Sequence, residues 1–235
     1  MGVGAQVHGA RPDLSMIRRT IDILVSAGLL ALTAPVLAVI AALNWSTTRR
    51  VFFTQTRIGR DLRPFAIVKF RTMVDGAAGA GTVTVQGDRR ITGLGRVLRA
   101  LKVDELPQLI NVLRGDMSLV GPRPLTPNEV AAISPELARQ VYAARPGMTG
   151  IAALAFIDEE RLLAAASDPE AAYFQRVLPQ KVALELAYTQ YRTWWTDLAI
   201  LALTPLAGFS GPLRRVAVTR LVPSTPSPMQ KEHTP

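Results

Sequence analysis

Two adjacent carboxylates, Asp104 and Glu105, stand in the run Leu101-Lys102-Val103-Asp104-Glu105-Leu106-Pro107-Gln108. Leu106, Leu109, Ile110 and Leu113 recur at helical spacing, Pro107 fits a first turn, and Gly115 supplies a stop. The spacing therefore predicts a helix that opens at the two acids. An Asp in that place caps the helix by accepting backbone N–H groups. Alternatively, the pair does chemistry beside an anion drawn to the helix N-terminus. Composition narrows what that chemistry is. The 235 residues include no cysteine, and the two histidines, His8 and His233, lie in terminal segments that read as tails. Disulfides, thiolate nucleophiles, Ser-His-Asp chemistry and His- or Cys-ligated metals are excluded together. An enzyme built this way works with carboxylates, Lys, Arg and a hard cation such as Mg²⁺.

The cations have their own pattern. On a predicted strand from Phe65 to Met73, residues Phe65, Ile67, Lys69 and Arg71 share one face and Ala66, Val68 and Phe70 the other. Lys69 and Arg71 form either a charged edge that discourages aggregation or a small binding row. Val51 to Thr56 is the partner strand, with Gly59, Asp61 and Pro64 making the reversal of an antiparallel hairpin. Leu94, Val97, Leu98 and Leu101 make the stripe of a short basic helix carrying Arg96, Arg99 and Lys102. After a short buried strand at Ser118–Val120, Gly121-Pro122-Arg123-Pro124 is a rigid turn. An arginine pre-set in this way loses little entropy on gripping a phosphate.

The remaining elements frame these groups. Residues 75–95, with GAAGAG, lack the Gly-Lys-Ser/Thr of a phosphate loop and suit a mobile loop or lid. A helix from Ser134 to about Ala144 stops at Pro146-Gly147, and Asp158-Glu159-Glu160 reads as a solvated helix start in preference to a metal site. Beyond Pro179 the longest helix carries the stripe Leu184, Tyr188, Tyr191, Trp195 and Leu198. Trp194 and Trp195 suit an amphipathic helix at a membrane interface.

Formal charge is +9, yet mean hydropathy is +0.20, which points to a membrane surface and anionic partners. Ile23 to Leu43 is almost wholly apolar and matches a transmembrane length, without a signal cleavage site. Pro35 interrupts it. Arg18 and Arg19 precede the run and Arg49, Arg50, Arg57 and Arg60 follow it, so both flanks favour one side of a membrane. Arms of about 18 and about 14 Å are too short for a hydrocarbon core of about 30 Å. A re-entrant helical hairpin kinked at Pro35 is therefore expected, with Ser26 and Thr33 hydroxyls serving freed backbone groups and Asp22 paired with Arg18 or Arg19. A kinked full span is the alternative. The expected organisation is a tail at 1–14, the hairpin at 15–46, a cytoplasmic domain at 47–210 and a basic Pro/Ser-rich tail at 211–235.

The motifs VFFTQTRIG, VKFRTM, VDELPQLINVLRGDMSLVGPRPL and RPGMTG, within Arg18 to Phe209, resemble the bacterial sugar transferases. These are monotopic phosphoglycosyl transferases, here in the short form. The resemblance implies an α+β, mostly helical membrane-monotopic fold. It implies transfer of a sugar-1-phosphate from a UDP-sugar to polyprenyl phosphate with release of UMP, at the start of exopolysaccharide, capsule, O-antigen or glycoprotein assembly. By the same resemblance Asp104 is the nucleophile and Glu105 the Mg²⁺-binding partner. Arg123, Lys69, Arg71, Arg99 and Arg145 then bind substrate. Membrane lipids and downstream glycosyltransferases are the implied partners, self-association is compatible with the reading, and nucleic acid is not a partner. The implied location is the bacterial inner membrane, catalytic domain on the cytoplasmic face. The chain departs from the family at Ala34 before Pro35, at Lys102-Val103, at Ala153 where Gln is frequent, and from Phe156 to Glu160. The sugar is therefore left unassigned. The competing readings are a non-enzymatic polyanion-binding membrane protein and an Mg²⁺-dependent phosphohydrolase.

Overall fold

The apolar run forms a single helix, α1 (Pro12–Thr48), in a computed structural model that describes residues 12–77, 83–204, 218, 220 and 221. Of the predicted tail at 1–14, residues 1–11 lie outside the described residues and the rest begins α1; the predicted tail at 211–235, apart from Val218, Arg220 and Leu221, and the middle of the Gly-rich loop also lie outside them. By length and composition α1 is able to cross a membrane. The expected two-armed hairpin is corrected here, because helix runs through Pro35 without a break. Proline removes one backbone donor, that for the Ala31 carbonyl, and no Gly or Asn within four residues offers a reversal. The hydroxyls do not repair that loss. Thr33 donates to the Leu29 carbonyl at 2.7 Å, and the buried Ser26 Oγ has no partner.

One stripe of α1 faces the rest of the molecule. Asp22, Ser26, Ile40 and Asn44 are buried along it, with Leu30, Thr33, Leu37 and Ala41 half-buried between them. These positions follow the three-four spacing of one helical face. The other faces stay bare, with Leu32 78% exposed. Polar bonds pin α1 near both ends. Arg19 donates to the Val112 and Leu113 carbonyls at 2.6 and 2.9 Å, and Asn44 donates to the Val51 carbonyl at 3.3 Å. Asp22 accepts from Ser118 Oγ at 2.8 Å and from the Leu119 N–H at 3.0 Å. The expected pairing of Asp22 with an arginine is thus replaced. Arg18 pairs instead with Asp197 at 3.2 Å.

The hairpin forms as expected, β1 (Phe52–Ile58) against β2 (Pro64–Phe70), antiparallel, with Phe52 opposite Phe70 and their rings stacked at 5.5 Å. Helix α2 (Gly93–Ala100) is capped by the Thr92 side chain. The Gly-rich loop before it is tethered at its described flanks, because Arg90 binds Asp88 and the Ala77 and Val83 carbonyls. A 3₁₀ turn (Val103–Gln108) then leads into α3 (Leu109–Arg114), which ends at Gly115 with φ 92°. Asn111, fully buried on α3, accepts from the Val68 N–H and donates to the Ala66 carbonyl, locking β2 to this helix.

Beyond α3, β3 (Ser118–Val120) pairs in parallel with β4 (Gly147–Thr149), a strand that local sequence reads only as a helix stop. Gly121 and Gly147 bring the two backbones so close that a Cβ on either would strike main-chain atoms of the other's segment. Short helices α4 (Pro127–Ala131), α5 (Pro135–Val141), α6 (Ile151–Ala155), α7 (Glu159–Ala164) and α8 (Pro169–Ala172) surround the core. Its centre holds Leu109, Val112, Met117, Tyr142, Ile151 and Leu178.

The predicted stripe after Pro179 is divided between α9 (Leu178–Tyr191) and α10 (Trp194–Leu203). Thr193 and Thr196 form a capping box that starts the second helix. Leu184 and Tyr188 are buried, whereas Trp195 and Leu198 are exposed. Neither α9 nor α10 is the longest helix, which is α1.

Candidate active site

A left-handed residue sets the geometry. Lys102, at φ 56° and ψ 18°, ends α2 and redirects the chain into the 3₁₀ turn, so the two acids open a tighter turn than an α-helix. Asp104 is not a cap, since the cap position is Lys102 and no side-chain cap bond forms. The Asp104 side chain is instead enclosed, 7% exposed, with Oδ1 buried and unpartnered. Burial, reinforced by the neighbouring Glu105 charge, raises its pKa above the ordinary carboxylate value, against the pull of Lys69, Arg99 and Lys102.

Glu105 has the opposite fate. Lys69 on β2 donates to its Oε1 at 3.0 Å. Burial alone would raise the Glu105 carboxyl, but Lys69 and Arg123 outweigh it and hold the group down at about 2. Two adjacent carboxylates are thereby pushed apart in proton affinity, a pattern that separates acid–base or nucleophilic duties. Burial lowers Lys69 itself, with Arg123 and Arg57 adding repulsion that Glu105 only partly offsets.

Glu105, Lys69 and Gln108 line a polar cleft with Arg57, Arg123 and the Gly147–Gly150 segment. Arg57 is held by the Pro124 carbonyl at 3.0 Å, Gln55 Oε1 at 2.7 Å and Glu129 at 3.4 Å. The Arg123 guanidinium is exposed and makes no hydrogen bond among the described residues. Its main chain is fixed, because the buried Tyr142 hydroxyl donates to the Arg123 carbonyl at 2.8 Å and accepts from the Leu125 N–H at 2.9 Å. Behind this turn Glu185 is buried and accepts from the Ala152 and Arg123 N–H groups, with Oε1 unpartnered. Burial pushes it up to about 7. Cationic side chains on a rigid frame, with ionised carboxylate beside them, suit a phosphorylated ligand.

The sequence model of the bacterial sugar transferase family matches residues 14–211. The chain is 40% identical over 199 residues to a UDP-glucose:undecaprenyl-phosphate glucose-1-phosphate transferase of Caulobacter vibrioides, covering 83% of this chain and 70% of that one. The chain belongs to the bacterial sugar transferase family.

Two further relatives bracket the family. A UDP-N-acetylgalactosamine-undecaprenyl-phosphate N-acetylgalactosaminephosphotransferase of Aeromonas hydrophila is 39% identical over 143 residues, covering 59% of this chain and 34% of that protein. The exopolysaccharide production protein ExoY of Rhizobium meliloti is 36% identical over 163 residues, 62% of this chain and 72% of that one. The sugar transferase is thus an enzyme of the phosphoglycosyl transferase class.

Of the five basic residues expected at the sugar transferase site, Lys69 and Arg123 line the cleft. The other three do not line it, although the Arg99 charge still reaches Asp104. Arg71 pairs with Asp75 at 2.8 Å, Arg99 pairs with Glu160, and Arg145 donates to the Gly115 carbonyl at 3.0 Å beyond the far end of α3. Asp158-Glu159-Glu160 is not simply solvated, since Glu159 pairs with the buried Lys181. Ala153 does line the cleft. Sequence reasoning does not find Arg57 and Gln108, which line it, or Tyr142 and Glu185, which hold the Arg123 main chain behind it. Arg57 carried a signal in its alternation along β1, but the others depend on contacts between distant segments.

No group of three acidic or histidine side chains placed to hold a metal occurs among the described residues. The donor set nonetheless fits Mg²⁺, which takes one or two carboxylates together with substrate phosphates. Glu105 is ionised with only Oε1 engaged, and the adjacent Asp104 Oδ1 is unpartnered.

Proposed function

We propose that this sugar transferase moves a sugar-1-phosphate from a UDP-sugar to a polyprenyl phosphate through a covalent intermediate on Asp104. The observation that carries the reading is the Asp104 carboxylate, enclosed and unpartnered, next to a cleft of Lys69, Arg57 and Arg123. A carboxylate already stripped of water loses little solvation on attacking phosphorus.

In the first step an Asp104 oxygen attacks the β-phosphorus, a new P–O bond forms, and the bond to the bridging oxygen breaks to release UMP. In the second, an oxygen of the polyprenyl phosphate attacks the same phosphorus and Asp104 leaves as carboxylate, giving polyprenyl-diphosphate-sugar. Lys69, Arg57 and Arg123 bind and orient the pyrophosphate. Glu105, with Asp104 beside it, would hold Mg²⁺, which when bound supplies charge neutralisation at the pyrophosphate and the leaving UMP.

The membrane arrangement follows from α1. A helix long and apolar enough to enter a membrane, pinned along one stripe to the folded unit by Arg19 and Asp22, supports an anchor that holds the site at the membrane surface. Arginines on both flanks favour the cytoplasmic side of the inner membrane. Residues 15–46 then act as the anchor and 47–210 as the catalytic domain. The relatives' names support a place in exopolysaccharide assembly.

The test is to incubate the detergent-solubilised protein with Mg²⁺ and a panel of labelled UDP-sugars, without acceptor. A phosphosugar mass on the Asp104 peptide and stoichiometric UMP are expected, and neither with Asp104→Asn. Full transfer by Asp104→Asn with acceptor present would overturn the nucleophile.

A further inference from the structure

We infer that the apolar groove between α1 and the hairpin seats the isoprenyl chain of the acceptor, with Asp104 at the seam between this groove and the polar cleft. Leu37, Ala38 and Ala41 of α1 make one wall, Phe70 of β2 the other, and Pro107 and Ile110 the floor. The groove has a volume of about 230 Å³. This inference rests on the transfer reaction proposed above.

The 3₁₀ turn places the groove. Side chains three residues apart in such a turn eclipse one another. Within Val103–Gln108, Glu105 and Gln108 form one row, and that row lines the polar cleft. Asp104 and Pro107 form the next row, and Pro107 lines the groove. Ile110, three residues further on in α3, continues to the groove floor. One short turn thus presents a polar row to one site and an apolar row to another, with the unpartnered Asp104 heading the apolar row.

The lining selects the occupant. A nucleotide or a sugar would leave its hydroxyls and amides without hydrogen-bond partners against Leu, Ala, Phe, Ile and Pro side chains. A hydrocarbon chain loses nothing there. One wall is α1, whose remaining faces are exposed and apolar at Leu32, Val36 and Val39, so a chain reaches the groove sideways from a hydrocarbon phase. The exposed Lys102, beside Asp104, offers charge to the phosphate at the head of that chain. An isoprenyl phosphate satisfies all three conditions at once: apolar tail, lateral entry and a phosphate at Asp104. Phospholipid acyl chains share the hydrocarbon chemistry and are the alternative source.

The experiment uses the full-length protein in nanodiscs with a benzophenone-tagged polyprenyl phosphate. Cross-links are expected on the peptides carrying Leu37–Ala41 and Ile110, displaced by excess polyprenyl phosphate but not by excess dioleoyl phosphatidic acid. In the Ala38→Trp variant, KM for polyprenyl phosphate should rise about tenfold or more with kcat retained, since filling an apolar subsite discriminates on that scale. Ala38→Leu should show a smaller rise, and a ten-carbon isoprenyl phosphate acceptor a weaker response to either variant. Cross-links confined to other segments, or displaced equally by phosphatidic acid, would overturn the assignment. Donor-only labelling of Asp104 is read separately. Its absence counts against the covalent route, while the cross-linking of the unmodified protein still decides the groove.

Discussion

The Lys69 ammonium stands 3.0 Å from Glu105 Oε1, joining β2 to the turn that carries both acids. Lys69 and Arg123 are what hold Glu105 near 2 in spite of its burial. A depressed carboxylate contributes stability that is present above its ordinary pKa and lost as pH falls toward the folded value. Replacing Lys69 by Met removes the nearer cation, so the acid limb of the pH–rate profile should move upward. Activity at neutral pH should drop about a hundredfold, the scale of losing one preorganised electrostatic contact. A profile of transfer rate from pH 4 to 9 checks both expectations. An unmoved acid limb would mean that Glu105 does not govern it.

Asp104 carries the converse sign. Its raised pKa means that the folded state holds the proton more tightly than the unfolded chain. The associated stability is present below the ordinary carboxylate pKa and is lost as pH rises through the folded one. Asp104→Asn should therefore abolish transfer while stabilising the protein at pH 8 by about 1 kcal/mol, the usual gain from relieving a strained functional group. The gain should shrink at pH 4. Thermal melts at the two pH values test this, and a destabilised variant at pH 8 would contradict it.

Glu185 predicts a titration of its own. Burial lifts it from 4.5 to about 7, so the stability it confers is complete below about pH 4.5 and has declined once the pH passes 7. Glu185→Gln keeps an oxygen for the Arg123 and Ala152 N–H groups but cannot ionise. Its melting temperature should exceed that of the natural protein at pH 8 and converge with it at pH 4. Any inflection near pH 7 in kcat/KM that arises from the Arg123 turn should vanish in the same variant.

Asp22 anchors α1, and its loss should be felt in stability. It accepts from the buried Leu119 N–H and from Ser118 Oγ. Asp22→Ala leaves that N–H without a partner, at a cost of about 2 kcal/mol. Ser118→Ala removes only the hydroxyl and should cost about 1 kcal/mol or less. Denaturant midpoints in a fixed detergent compare the two, and equal losses would show that the bond to the Leu119 N–H is not the stronger anchor.

Much of this enzyme is written locally. The absence of Cys and of any His outside the terminal segments leaves carboxylates and cations as its chemistry, whatever the fold. Alternation along Phe65–Phe70 and the turn residues before it specify the hairpin, because strand period and turn chemistry act over a few residues. Two prolines determine that Arg123 stands on a rigid turn.

Other features required the whole chain to be assembled. Alternation puts Lys69 and Arg71 on one face, but Lys69 meets Glu105 while Arg71 meets Asp75, because the strand ends at Phe70. Strand β4 forms where Gly147 comes against Gly121, and its pairing of Gly147 with Ser118 spans 29 positions that no local period encodes. The continuous α1 is likewise held by Arg19 and Asp22 bonding to segments remote in sequence. Local periodicity sets which way a side chain points along its own element. Which groups it meets, and hence whether two neighbouring acids share a task or divide it, depends on burial and charge that arise only when distant segments pack together.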